Sequence, residues 1–168
     1  MIESMQIERY RVFYHPTRTG EVSFELIADG QRDALKHPHR LLYIVKLNEQ
    51  FLYVGEAKSE LKTRFQRGFS SYRYFKRTGK ARGGYKGYKW IKLLDPTEGK
   101  PNQLDVWAIL FDSSYDDNRD SIEAIEGEIV WKIRNQTNKW PTYQNEIHFN
   151  NDLKDANLIA NKILEDLK

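Results

Sequence analysis

The sequence predicts an α/β fold in which helices pack around a small antiparallel sheet. Two pairs of short apolar segments each flank a polar turn, which predicts two β-hairpins. Other segments carry apolar residues at helical spacing. The order of these elements along 168 residues predicts an α/β sandwich formed by a single domain, 1–168, since we find neither an internal repeat nor a linker.

The first predicted hairpin lies near the N-terminus. Residues 7–14 and 21–27 alternate apolar and polar side chains. The segment between them, 15–20, contains proline and glycine and has the composition of a turn. We expect this hairpin to form an N-terminal extension covering residues 1–39.

The second predicted hairpin gives the clearest indication of chemistry. Residues 41–45 and 51–55 are rich in β-branched and aromatic side chains and flank a polar turn. If Leu47 pairs with Phe51, Gly55 lies opposite Tyr43 and leaves its phenol uncovered, so that a substrate backbone can approach. The face shared in this register carries Tyr43, Val45, Leu47, Phe51, Tyr53 and Gly55.

The middle of the chain predicts two helices and a strand. Residues 59–74 are expected to be helical, and residues 85–94 to form a short helix entered from a glycine-rich loop. Residues 104–111 form an apolar run that predicts a strand.

The last quarter predicts two further helices. Asp120 and Glu123 have the spacing of an N-terminal capping box for a helix that runs to about residue 134. A C-terminal helix is expected within residues 152–168, with an apolar stripe for the core or an interface. Its members are Ala156, Ile159, Ala160, Ile163, Leu164 and Leu167.

Composition narrows the class of protein. The chain contains no cysteine, which excludes disulfides and thiolate metal sites. Its longest apolar run, residues 106–111, is too short to span a bilayer, and the first four residues do not resemble the start of a signal peptide. We therefore expect a cytoplasmic protein without a membrane partner. The sequence leaves monomer and homodimer open.

Charge is strongly segregated along the chain. Between residues 61 and 94 there are eleven Lys or Arg and no Asp or Glu, whereas the remainder carries sixteen basic and twenty-four acidic residues. Such a segment is typical of a surface that binds a polyanion, with aromatic side chains interleaved for stacking. A solvated helix followed by a loop is the alternative. The candidate DNA-binding residues are Lys62, Arg67, Arg73, Lys76, Arg77, Lys80, Arg82, Tyr85, Lys86, Tyr88 and Lys89.

Residues 40–150 resemble the GIY-YIG nuclease superfamily. Five elements carry the resemblance in the family's order, and each is a weak signal by itself. They are Leu41-Leu42-Tyr43, Tyr53-Val54-Gly55, Arg64 on a helix, the helical segment 123–132, and Pro141-Thr142-Tyr143-Gln144-Asn145.

Two positions depart from the family's pattern. Gly68 stands where several members carry a histidine. Glu56, directly after the second signature, places a negative charge where a phosphate is expected, so it either points away or joins the metal site.

The resemblance implies a compact enzyme, similar to a restriction endonuclease, that hydrolyses double-stranded DNA with Mg²⁺, for which Mn²⁺ should substitute. Tyr43 would help activate the attacking water, and Tyr53 would orient the water or the phosphate. Because a phenol with a pKa near 10 is a poor base, Arg64 would favour the phenolate of Tyr43 and bind phosphate oxygens. Glu128 would hold the metal, and Asn145 would position the scissile phosphate.

The metal ligand has a rival on the same helix. An alanine four residues before the ligand and a large apolar residue three after it select Glu128 in the family's register. The apolar face formed by Ile122, Ile125, Ile129 and Ile133 instead brings Glu126 near its centre. A carboxylate on a buried face is rare without a function. We prefer Glu128 on motif register.

Three functional classes follow from these observations. The first is a sequence-specific DNA endonuclease of the type II restriction kind. The second is a structure-selective nuclease of repair, mobile-element movement or phage defence. The third is a nucleic-acid-binding module without catalysis.

Overall fold

The computed structural model describes residues 5–15, 21–26, 33–58, 60–81, 88–95, 103–144 and 155–168. Within them five strands form one sheet in the order β2-β1-β5-β3-β4, with every neighbouring pair antiparallel. The strands are β1 (Gln6–His15), β2 (Glu21–Leu26), β3 (Leu41–Leu47), β4 (Gln50–Ala57) and β5 (Gln103–Leu110). Both predicted hairpins are confirmed, and β1 pairs with β5, so the N-terminal hairpin extends the same sheet.

Four α-helices lie in the described part of the chain: α1 (Leu61–Thr78), α2 (Tyr88–Ile91), α3 (Arg119–Thr137) and α4 (Ala156–Asp166). Helix α1 is longer than predicted and ends at Gly79, whose φ of 71° is in the left-handed region that glycine adopts readily. The predicted capping box on α3 is wrong. Asn118 is the N-cap and accepts a hydrogen bond from the Ser121 backbone, which places Asp120 inside the helix.

Helices cover both faces of the sheet, which confirms the predicted α/β sandwich. One face packs against α1 and α2 through Phe65, Phe69 and Trp90. The other face packs against the buried residues of α3 and α4. The stripe predicted on α4 belongs to this core, because its members from Ala156 to Leu164 are buried. No helix within the described ranges is long and apolar enough to cross a membrane.

The register of the second hairpin is confirmed over most of its length. Tyr43 pairs with Gly55 and Val45 pairs with Tyr53, as predicted. A β-bulge between Val45 and Lys46 then shifts the pairing, so that Leu47 lies opposite Gln50. The predicted Leu47–Phe51 pair is therefore wrong, and Phe51 packs in the core on the α3 side rather than beside Tyr43.

Candidate active site

Gly55 allows two tyrosines to approach the backbone of β4. A Cβ atom at this position would lie 2.6 Å from the ring and hydroxyl of Tyr43 and 2.6 Å from the ring of Tyr53. Distances this short do not occur for real Cβ atoms, so only glycine fits without movement of these rings. The ring centroids of Tyr43 and Tyr53 are 6.0 Å apart. Gly55 lies opposite Tyr43 as predicted, but the phenol is fully buried instead of uncovered for a substrate backbone.

Arg64 connects α1 to this tyrosine pair. Its Nε donates a hydrogen bond of 3.3 Å to the Tyr43 hydroxyl. The next residue, Phe65, is buried and packs on both Tyr43 and Trp90, which fixes the start of α1 against β3. The helix therefore presents a guanidinium group at a defined position beside the two tyrosines.

A cavity of about 660 Å³ opens next to Arg64. Charged side chains form most of its wall, and they come from β4, α1, α3 and the residue preceding β3. The lining residues are Arg40, Tyr53, Glu56, Lys58, Arg64, Arg119, Glu123 and Glu126. Tyr43 is fully buried and is not among them, so it reaches the cavity through its hydrogen bond to Arg64.

Glu56 points into the cavity and not away from it. One carboxylate oxygen forms an ion pair with Arg40, and the other lies 3.6 Å from Nε of Arg119. Arg40 is itself fixed, because its Nε donates a 3.0 Å hydrogen bond to the carbonyl oxygen of Asp116. Arg119 forms a second, closer ion pair of 2.9 Å with Glu123, one helical turn away.

Glu126 is the carboxyl group most perturbed by this environment. Burial, followed by repulsion from Glu56 and then Glu123, raises its pKa from an ordinary 4.5 to about 8. The positive charges of Arg119 and Arg64 oppose this rise. Strongly shifted ionisable groups in a cleft are typical of functional sites.

The structure places Glu126 in the cavity and leaves Glu128 out of its lining. Two residues that are separated by one position in an α-helix point roughly 200° apart, so only one of them can line a given cavity. The preference for Glu128 as metal ligand therefore loses its geometric basis. The cavity lining agrees with the apolar periodicity of α3 and not with the motif register, and which glutamate binds metal stays a prediction.

The cavity offers carboxylates to the Mg²⁺ that the resemblance implies. In the residues that the structure covers, no group of three or more His, Asp or Glu side chains is arranged to hold a metal. Mg²⁺ does not require such a group, since it keeps several waters and takes one or two carboxylates together with substrate phosphates. A carboxylate whose charge is disfavoured in the apo protein, as at Glu126, is a suitable partner for this ion.

The segment that resembles the end of the family domain runs beside β4. The backbone N–H groups of Thr142 and Tyr143 donate to the carbonyl oxygens of Phe51 and Leu52. The amide side chain of Gln144 accepts from the N–H of Val54 at 2.9 Å and donates to its carbonyl oxygen at 2.7 Å. Asn145 lies outside the described residues, so its predicted role remains a prediction.

Most basic residues on α1 and just after it are exposed. Lys62, Arg67, Arg73, Arg77 and Lys80 are exposed along the helix and just after it. They form a surface that we call the α1 basic face. Lys89 on α2 is exposed as well. Arg82, Tyr85 and Lys86 lie outside the described residues, and so does the side chain of Tyr88.

Lys76 has a partner that the sequence did not reveal. Its ammonium group lies 2.8 Å from the carboxylate of Asp95, which is only 4% exposed and also accepts a hydrogen bond from the Tyr72 hydroxyl. The assignment of Lys76 to DNA binding is therefore weakened by this ion pair. Tyr72, Phe69 and Trp90, which are interleaved with the cations in the sequence, are buried in the core and cannot stack on bases.

Four charged residues of the cavity were not predicted from the sequence as site residues: Arg40, Lys58, Arg119 and Glu123. Glu56 gave the one available signal for these residues. A carboxylate directly after Gly55, where a phosphate is expected, indicates that a cation lies nearby. Its two arginine partners come from distant positions, 40 and 119, so the sequence offers no spacing that links them.

Comparison with known proteins gives limited results. No protein-family model matches the chain, and no curated protein matches it. The solved structure of the restriction endonuclease HPY188I in complex with product DNA is similar, with a TM-score of 0.42 and 12% sequence identity. The match covers 83% of this chain and 79% of that one.

Proposed function

We propose that this protein is a Mg²⁺-dependent endonuclease that hydrolyses phosphodiester bonds of double-stranded DNA in the cytoplasm. The observation that carries the proposal is the cavity in which Arg64, hydrogen-bonded to Tyr43, shares a wall with the perturbed carboxyl group of Glu126. The resemblance of residues 40–150 to the GIY-YIG superfamily supports the same chemistry. It also favours sequence-specific cleavage of the type II restriction kind.

Glu126 is the proposed metal ligand, in place of Glu128. Burial favours the protonated form of Glu126, and the proton also relieves its repulsion from Glu56 and Glu123. A divalent cation relieves it more effectively, because it brings two positive charges to the same group. When bound, Mg²⁺ would stabilise the negative charge that develops on the phosphate oxygens.

Arg64 binds the scissile phosphate in this proposal. A guanidinium group presents several N–H donors in a planar fork that matches phosphate oxygens. The hydrogen bond from Nε to Tyr43 uses one of these donors and orients the others. Donors that are held in place before the reaction give the largest stabilisation of transition-state charge.

The two tyrosines have different proposed roles. Tyr53 lines the cavity and is partly exposed, so it can orient the attacking water. Tyr43 is fully buried, and we assign to it the positioning of Arg64 rather than direct contact with water. Tyr53→Phe is therefore expected to reduce the rate of cleavage directly. Tyr43→Phe should act through Arg64. Asn145 remains the proposed residue for positioning the phosphate.

The α1 basic face is the proposed surface for the DNA backbone. Its members lie on or just after helix α1, which also carries Arg64, but at about 100° per residue Lys62, Arg73 and Arg77 point to the other side of the helix. Its cations neutralise phosphates without reading the base sequence.

Incubation of the purified protein with plasmid and phage DNA in Mg²⁺ tests the proposal, with EDTA as the control. Discrete fragments would support a sequence-specific endonuclease, and a smear would indicate a structure-selective or non-specific one. Intact DNA at every protein concentration, in Mg²⁺ and in Mn²⁺, would overturn the proposal in favour of a binding module.

A further inference from the structure

Arg119 differs from the other arginines of the cavity in how it is held. Arg40 is anchored by Asp116 and Glu56, and its side chain is 14% exposed. The side chain of Arg119 is 66% exposed, although it lies among three carboxylates. A long cationic side chain that can reach solvent this freely gains little from an exposed ion pair.

The contacts of Arg119 leave most of its hydrogen-bonding capacity unused. Within the described residues, both of its ion pairs use Nε, at 2.9 Å from Glu123 and 3.6 Å from Glu56. The two terminal amino groups, which form the fork that binds phosphate in a bidentate manner, take no part in them. The two carboxylates thus hold the guanidinium group at the cavity through Nε, where an entering phosphate competes with them.

We propose that Arg119 is a phosphate-binding residue of this cavity, and that Glu123 and Glu56 hold its guanidinium group there until a DNA phosphate replaces them. This inference rests on the proposed function, because it takes DNA as the ligand. Glu56 then has a defined task in spite of its charge. It stands where a phosphate is expected because, in the free protein, it occupies that place beside Arg119 and Arg40.

Charge balance in the cavity agrees with this exchange. The lining contains four cationic side chains and three glutamates, and the raised pKa of Glu126 favours its neutral form, so positive charges exceed negative ones in the cavity. An entering phosphodiester takes over the positive charge of Arg119. The carboxylates that it displaces can then interact with a divalent cation, which prefers oxygen ligands.

The test measures DNA affinity as a function of salt in EDTA, so that cleavage does not interfere. Arg119→Ala should weaken binding about tenfold at low salt and reduce the slope of log K against log salt by about 0.9, the value for one lost phosphate contact. Arg134→Ala is the matched control. It removes the same charge from the same helix, about 22 Å further along its axis, and should leave the slope unchanged.

A second variant separates the holding role from simple charge. Glu123→Gln should tighten DNA binding roughly twofold, because an exposed ion pair of this kind is worth a few tenths of a kcal/mol. This gain should disappear in the Arg119→Ala background. A gain of equal size in both backgrounds would show that Glu123 only repels DNA, and would overturn its role as the residue that holds Arg119.

The outcomes distinguish this inference from the proposed function. If wild-type protein binds and cleaves DNA but Arg119→Ala matches Arg134→Ala in slope and affinity, the inference is wrong and the nuclease stands. If wild-type protein binds DNA without cleaving it in Mg²⁺, the nuclease proposal fails while the salt slope still decides the role of Arg119. If wild-type protein does not bind DNA, both are wrong.

Discussion

Two cavities of nearly equal size lie in this protein, and they differ in how their charges are balanced. The candidate active site has a volume of about 660 Å³. The second cavity, about 670 Å³, lies near the other end of β3 and is lined by Arg9, Lys46, Asp105 and Trp107 together with the ends of α3 and α4. Cavity volume therefore does not distinguish a functional site from another surface cavity.

The charges of the second cavity are compensated locally. Asp105 pairs with Arg9 at 3.1 Å, and the ammonium group of Lys46 lies 4.5 Å from the centre of the Phe51 ring and 5.1 Å from that of Trp107. In the candidate active site, by contrast, burial and then repulsion from Glu56 and Glu123 raise the pKa of Glu126 to about 8. The Glu126 carboxyl group, whose negative charge is disfavoured by its surroundings, marks the place where a divalent cation has something to gain.

The largest expected effect is a difference in cleavage rate between a variant of Arg64 in the first cavity and a variant of Lys46 in the second. Arg64→Ala should lower the rate of DNA cleavage at least a hundredfold, the usual cost of removing a positioned donor to transition-state charge. Lys46→Met, which keeps the length of the side chain on its aromatic neighbours, should cleave at nearly the wild-type rate. Single-turnover cleavage of plasmid DNA measures both. Equal losses in the two variants would remove the distinction between the cavities.

The next effect concerns the α1 basic face. Replacement of Arg67, Arg77 and Lys80 by alanine should reduce the salt slope of DNA binding by as much as about 2.7, at 0.9 for each phosphate contact. Lys76→Ala is the contrast, because this lysine already pairs with Asp95. It should lower the free energy of unfolding by about 1–3 kcal/mol and change the slope little. Fluorescence anisotropy over a range of salt, with thermal melts, provides both readouts. An unchanged slope for the triple variant would indicate a solvated face.

Substitution of Gly55 tests the tight packing of the tyrosine pair, and substitution of Gly79, where an added Cβ would meet open space, is the control. Gly55→Ala places a methyl group 2.6 Å from Tyr43 and Tyr53, and should cost about 1–3 kcal/mol of stability and reduce cleavage. Gly79→Ala adds a methyl group where no atom lies within 4 Å, but at a φ of +71°. It should cost about 1–2 kcal/mol from backbone strain alone and leave the cleavage rate intact. Full activity of a folded Gly55→Ala protein would contradict the role given to this contact.

A further effect is a pH dependence of stability. The raised pKa of Glu126 means that the folded protein binds a proton more tightly than the unfolded chain does. Its contribution to stability is fully present below the ordinary pKa of 4.5 and is lost as pH rises through about 8. Glu126→Gln cannot titrate, so its stability relative to wild type should increase between about pH 5 and pH 9. Denaturant unfolding at several pH values measures this difference, and a constant difference would show that Glu126 is not perturbed.

Much of the fold was predictable because it follows from local patterns. Alternation and helical periodicity gave both hairpins and α4, and the opposition of Tyr43 and Gly55 followed from the turn position. The bulge after Val45 was not predictable, because it depends on how the turn at Asn48, with its positive φ, closes. The bulge places Phe51 on the face of the sheet that packs against α3, opposite to Tyr43.

The candidate site was predictable only where a motif or a periodicity pointed to it. Tyr53, Arg64 and the Glu126 alternative came from such signals. Arg40, Arg119 and the Lys76–Asp95 pair depend on contacts between distant segments, which composition and spacing do not encode. The excess of cations in residues 61–94 predicted a surface but not which of its members are already paired.

The claim that the charged cavity is a metal-dependent nuclease site is tested most directly by two matched variants of α3. Glu126→Gln and Glu128→Gln make the same substitution two positions apart on α3, and only the first of these residues lines the cavity. Cleavage of plasmid DNA in Mg²⁺ should fall at least a hundredfold for Glu126→Gln, as for other losses of transition-state charge stabilisation, and stay near wild type for Glu128→Gln. Loss of cleavage in a folded Glu128→Gln protein, with Glu126→Gln still active, would contradict this account.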